Sequence, residues 1–131
     1  MNWLDIADKS DKIWFNLFGG YEINESFFIE NIIFKGDSVS VIFSIFRPHV
    51  KLPERWLSKG FDSISLNLKL ASLNEDAIIR GNVSCNCHVE ITGSVPYIFV
   101  RFYRDSLKQE LLFSSYCKNV FLSDIKGFTS I

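Results

Sequence analysis

Cys85-Asn86-Cys87-His88 is the densest run of thiol and imidazole groups in the chain. Zinc knuckles space their cysteine pairs by two to four residues on a tight turn. Here a single residue separates the thiols, within a run that alternates as a strand does. That aims Cys85 and Cys87 at one face, together with Val89 and Ile91, where a buried free cysteine acts as a small hydrophobe. A disulfide between them is strained. His88 points the other way, and a lone histidine on a strand face is far more often a surface group than a catalytic base. His49 follows Pro48 in a connection. Arg101, Tyr103 and Arg104 mix base and ring as single-strand nucleic-acid readers do, but Asp105 stands beside them and the net charge of the chain is -1. None of the patterns G-x-S-x-G, H-E-x-x-H or G-x-x-x-x-G-K-[ST] occurs. Gly19-Gly20 follows a helical pattern, whereas phosphate-cradling glycines precede one. The expectation is a protein that is not an enzyme, with no catalytic residue, no metal and no cofactor.

The elements that must carry these residues follow from size and periodicity. A chain of 131 residues with 47% hydrophobic content suits one domain with a real core. Thirteen phenylalanines bias it toward a sheet with a thick apolar face. The start meets an acid at Asp5 without a basic leader, and no apolar run nears ~18 residues. Three cysteines, an odd number, then read as reduced thiols, and the expected location is the cytoplasm, with neither a membrane nor a nucleic acid as partner.

Residues 1–20 read as a helical segment. Trp3, Ile6 and Ala7, then Ile13, Trp14, Leu17 and Phe18, make apolar stripes that Gly19-Gly20 stop. From Ser26 the period becomes two. Phe27–Lys35 and Ser38–Phe46 form the expected hairpin about Gly36-Asp37. Ile64, Leu66, Leu68 and Leu70 give the cleanest alternation. Ala77–Val83, Cys85–Thr92, Tyr97–Tyr103, Leu107–Tyr116 and Asn119–Ile125 are further strand candidates, with a turn at Gly93-Ser94 and a loose tail over 126–131. The fold class expected is α+β, mainly antiparallel β. A helical segment packs on a curled or two-layer antiparallel sheet of about 7–8 strands over residues 26–125, in a single domain over 1–131.

Two stretches remain that encode shape rather than chemistry. One is the end of the helical segment, Leu17-Phe18-Gly19-Gly20-Tyr21, after the opening Asn2-Trp3. The other is Pro53-Glu54-Arg55-Trp56-Leu57-Ser58-Lys59-Gly60-Phe61, leading into Ile64-Ser65-Leu66-Asn67-Leu68. In both, the chain resembles the immunity protein 50 family of bacterial polymorphic toxin systems. The likeness spans most of the chain and is weaker over residues 77–131. It implies stoichiometric inhibition of a cognate toxin domain, encoded by the adjacent upstream gene. The alternative is a small β-rich interaction or accessory module without toxin context; a small-ligand binder with a Phe-rich pocket is a third reading.

On the immunity reading, two surfaces are expected to bind the partner. Within residues 1–30 six acids face only Lys9 and Lys12, and the first surface is Asp5, Asp8, Asp11, Glu22 and Glu25. Many toxin nucleases are basic, so an acidic end would speed encounter. Solubility explains the same charges equally well. The second surface is the connection carrying Arg47, His49, Arg55, Trp56 and Lys59, although a tryptophan is more often a packing residue than an exposed anchor.

Overall fold

The computed structural model describes residues 26–73, 77–79, 85–105 and 110–130. The helical expectation for 1–20, and with it Asp5, Asp8, Asp11, Glu22 and Glu25, lies outside the described residues.

Within them the chain is an antiparallel β protein of seven strands and one short helix. Strand β1 is Phe27–Lys35 and β2 is Ser38–Phe46. Helix α1 is Glu54–Leu57, and β3 is Ser63–Leu73. Then come β4, Ile78–Ile79; β5, Asn86–Ser94; β6, Tyr97–Arg104; and β7, Leu111–Phe128.

Alternating apolar residues make β2, β3 and β6 one-sided, and a one-sided sheet must bury that side. Two three-stranded meanders form, β1-β2-β3 and β5-β6-β7. Strand β7 joins them because it is long enough to serve both. Its first half pairs with β6, from Tyr103↔Leu111 to Ile98↔Cys117. Its second half pairs with β3, from Leu73↔Cys117 to Ser63↔Phe128. Cys117 is therefore the handover point, opposed by Ile98 on one side and Leu73 on the other. Phe27↔Cys87 and Phe28↔Asn86 then pair β1 with β5. The pairing runs in a closed circuit, β1-β2-β3-β7-β6-β5, with β4 extending the line of β3 along β7. Closure removes the sheet edges that an open meander leaves bare.

The inward side chains fill the middle. Val39, Val41, Phe43 and Ile45 meet Ile64, Leu66, Leu68 and Leu70 across β2 and β3, all fully buried. A chain of rings crosses the interior: Phe27 lies 4.4 Å from Phe43 and 6.0 Å, edge-on, from Phe102, which lies 5.8 Å from Phe113. Each such ring pair contributes about 0.5–1.5 kcal/mol beyond its burial.

Three local expectations are corrected. Leu107–Tyr116 and Asn119–Ile125 read as two strands, but one strand runs unbroken from Leu111 to Phe128. The inward phase changes between Cys117 and Val120, both buried, opposite Ser72, whose φ is 57°. A phase change in sequence imitates a break. The turn between β5 and β6 is Val95–Pro96, a cis peptide, rather than Gly93-Ser94. Gly93 stays in the strand at φ 91°, where a Cβ would stand 2.3 Å from the Tyr97 carbonyl oxygen. Finally, residues 126–130 are not loose: β7 extends to Phe128, and Thr129 Oγ donates to the Gly60 carbonyl at 2.8 Å.

Candidate functional site

The groups that could do chemistry are placed so that they hold the fold. Cys87 is fully buried beside Phe27, and Cys117 is fully buried at the handover point. Their partners on β6 are Arg104 and Ile98, six residues apart, so the two thiols stand roughly 20 Å from each other at the usual strand rise. Burial raises the Cys87 thiol well above its ordinary range and pushes Cys117 up to about 12. Cys85 is half-buried just before β5. Among the described residues no group of three His, Cys, Asp or Glu side chains is placed to hold a metal ion.

His88 meets an acid, Asp105, whose Oδ1 lies 3.0 Å from His88 Nδ1. Ser26 Oγ donates to the other oxygen, Oδ2. Burial raises the Asp105 pKa, but the bonds from Ser26 and His88 outweigh it and hold the carboxyl below its ordinary value. The three residue types are those of a hydrolase triad, but the order is wrong. In a triad the imidazole stands between acid and hydroxyl and takes the serine proton. Here the carboxylate stands in the middle. The arrangement ties the residue before β1 to β5 and to the end of β6.

The outer face of β5, β6 and β7 gathers a different set. Residues 97, 99, 101 and 103 share the outward side of β6, and register brings neighbours to each. Phe99 is opposed by Thr92 and Tyr116, Arg101 by Glu90 and Ser114, and Tyr103 by His88. The Phe99 and Tyr116 rings stack at 4.3 Å and 15°. The Arg101 guanidinium lies 4.7 Å from the Phe99 ring centre and 5.9 Å from that of Tyr103. Arg101 Nη2 donates to Glu90 Oε1, while Arg101 Nε is buried without a hydrogen-bond partner. The His88 and Tyr103 rings stack at 5.6 Å. Tyr97 is 71% exposed and Tyr116 39%. Tyrosine and arginine are the side chains that carry most energy in protein interfaces. The sequence signal was present in the ring–base–ring spacing of Phe99, Arg101 and Tyr103. Glu90, Tyr116 and His88 join it only through strand register.

The connection carrying residues 53–61 caps one end of the barrel. Pro53 starts α1, and its carbonyl accepts from the Trp56 and Leu57 amides at 2.9 and 3.1 Å. Trp56 is buried at 7% exposure. Its ring lies on Gly127, where a Cβ would come within 2.8 Å of Trp56 Cε3 and 2.6 Å of Phe61 Cδ2. Trp56 thus packs within its own chain. Arg47, His49, Arg55 and Lys59 are exposed around this cap, as is Lys51. Arg47, at φ 48°, lies 3.9 Å from Asp62, and Lys59 Nζ sits 5.9 Å from the Phe61 ring centre. Phe46 and Leu57, half exposed, add apolar surface between these cations.

No family model, curated protein or solved structure matches this chain.

Proposed function

We propose that this chain is an immunity protein that binds a cognate bacterial toxin domain and neutralises it by stoichiometric protein–protein inhibition in the cytoplasm. The observation that carries the reading is how the side chains are divided. Phe27, Phe43, Phe102 and Phe113 fill the interior where a small ligand would lie. The surface meanwhile presents exposed cations and rings on a closed barrel. A rigid scaffold with a preorganised polar and aromatic surface suits a tight inhibitor, because little ordering entropy is lost on binding.

Two surfaces enter the proposal. The cap carries Arg47, His49, Arg55 and Lys59 with Phe46 and Leu57 among them. The acids Asp5, Asp8, Asp11, Glu22 and Glu25 supply charge that would steer a basic partner. Opposite signs on two surfaces give different salt and mutational signatures, so the two are separable.

Co-expression with the product of the gene immediately upstream tests the reading. The expected result is rescue of growth together with a stoichiometric complex on purification. Reversing the five acids is expected to slow association and weaken protection while the fold stays intact. A verified toxic neighbour that is neither bound nor neutralised would discard the immunity function. A stable complex with a neighbour that is not toxic would support an accessory module instead.

A further inference from the structure

The cap is cationic, and its charge is not cancelled from within. Over residues 46–62 the exposed cations Arg47, Lys51, Arg55 and Lys59 stand against the acids Glu54 and Asp62. Asp62 is already engaged, because its carboxylate accepts from the Ser130 amide and from the hydroxyls of Ser130 and Ser63. Arg47 lies 3.9 Å from it with a side chain 76% exposed, and such a pair is weak. Among the described residues Lys51, Arg55 and Lys59 form no ion pair. Phe46 and Leu57 add apolar surface, 50% and 49% exposed.

Strand register brings the opposite charge to this place. Phe28 opposes Ser44 in the antiparallel β1–β2 ladder, and the Phe28 and Phe46 rings are centred 6.5 Å apart. Carried back two residues, that register sets Ser26 beside Phe46, so the chain that precedes Ser26 arrives at Arg47. That chain contains Glu22 and Glu25, with Phe18 and Tyr21 next to them in sequence. Extended chain spans at most ~3.3–3.6 Å per residue, so Glu22 is tethered within roughly 14 Å of Ser26. A short tether gives an effective concentration on the order of millimolar. Single exposed ion pairs are weak, so attached acids outcompete those of a dilute second copy. A second copy would also bring a cap of the same sign.

We propose that the cap is the docking surface of this chain's own N-terminal segment. Glu25 and Glu22 are set against Arg47 and its neighbouring cations, and Phe18 and Tyr21 cover Phe46 and Leu57. Asp5, Asp8 and Asp11 lie further back along the chain and keep their charge for a basic partner. The inference concerns the free chain and does not depend on the toxin reading. It couples the two surfaces named there, since a partner that takes the cap releases Glu22 and Glu25.

Hydroxyl-radical footprinting of Phe46 and Leu57 in the full chain tests this. Reversing both acids, Glu22→Lys with Glu25→Lys, should speed their labelling about threefold, as the loss of two exposed ion pairs implies. Arg47→Glu should speed it as well, and Arg47→Glu combined with Glu25→Lys should restore protection that either change alone removes. Circular dichroism checks that each variant keeps its β spectrum. Should Arg47→Glu fail to fold, a salt titration of the unaltered chain replaces it, with protection expected to fall toward 1 M, where the Debye length is about 3 Å. Labelling that is indifferent to acid reversal and to salt overturns the proposal. Protection that rises with protein concentration assigns the cap to a second copy and overturns it too. Protection that appears only when the product of the upstream gene is added also overturns it, while leaving the toxin reading in place.

Discussion

Asp62 holds Ser130 by both carboxylate oxygens: Oδ1 accepts from the backbone amide at 2.8 Å and Oδ2 from the hydroxyl at 2.7 Å. The Asp62 amide in turn donates to the Phe128 carbonyl at 3.0 Å, so the start of β3 and the end of β7 are laced together in both directions. The Ser130 amide bond, then its hydroxyl, hold the Asp62 carboxyl below its ordinary value. A carboxyl depressed in the folded state adds stability that is present above its unfolded pKa, 3.8, and is lost as pH falls through the lower folded value. The C-terminal segment should therefore loosen on acidification below about pH 4. The protection of the Ser130 amide, taken relative to its intrinsic exchange rate at each pH, should fall there, and Asp62→Asn should show the reduced protection at neutral pH already.

Gly127 lies under the Trp56 and Phe61 rings, and its φ is not in the left-handed region. Alanine is thus allowed by the backbone there and forbidden only by the rings. Gly127→Ala is expected to cost about 1–3 kcal/mol, as overpacking does. Trp56→Ala should cost about 3–5 kcal/mol by leaving a cavity under the cap. The double variant should be less destabilised than the sum, since removing the ring removes much of the clash. Urea melts of the four proteins measure this; strict additivity would show that Trp56 does not rest on Gly127.

Phe102 touches both Phe27 and Phe113 and is fully buried, which makes it the middle of the ring chain. Phe102→Ala should cost about 3–5 kcal/mol in chemical denaturation. Phe46→Ala, half exposed beside Phe28 and Phe128, should cost well under half as much.

Thiol chemistry offers a direct probe of the core. With its pKa pushed up to about 12, Cys117 is thiolate in only about one part in ten thousand at pH 8. Cys87 is raised too, and neither is accessible. A disulfide-forming reagent under native conditions should therefore titrate Cys85 first, with Cys87 and Cys117 reacting only at the rate of unfolding. Fast reaction of all three would contradict the closed core.

The sequence is legible where one rule dominates. Phe27–Lys35 and Ser38–Phe46 were legible to the residue, because Gly36-Asp37 separates two runs and Gly36 takes a φ of 60°. Ile64, Leu66, Leu68 and Leu70 were legible because each faces the core without interruption. Two strands that have to agree are less legible: the inward phase of β7 changes between Cys117 and Val120, opposite Ser72 at φ 57°, with no turn residue to announce it, so one strand looks like two.

By itself the sequence determined an antiparallel β arrangement with a phenylalanine-rich core, and set the inward apolar side chains at alternate positions of its clearest strands, since period-two patterning and turn residues are local. Only the tertiary structure decided that β7 serves two meanders and closes the circuit, that Trp56 covers Gly127 rather than facing outward, and that Glu90, Arg101 and Tyr116 share one face. Those are contacts between residues distant along the chain. Their register depends on bulges and on the length of one strand, and neither is written in the periodicity of any single segment.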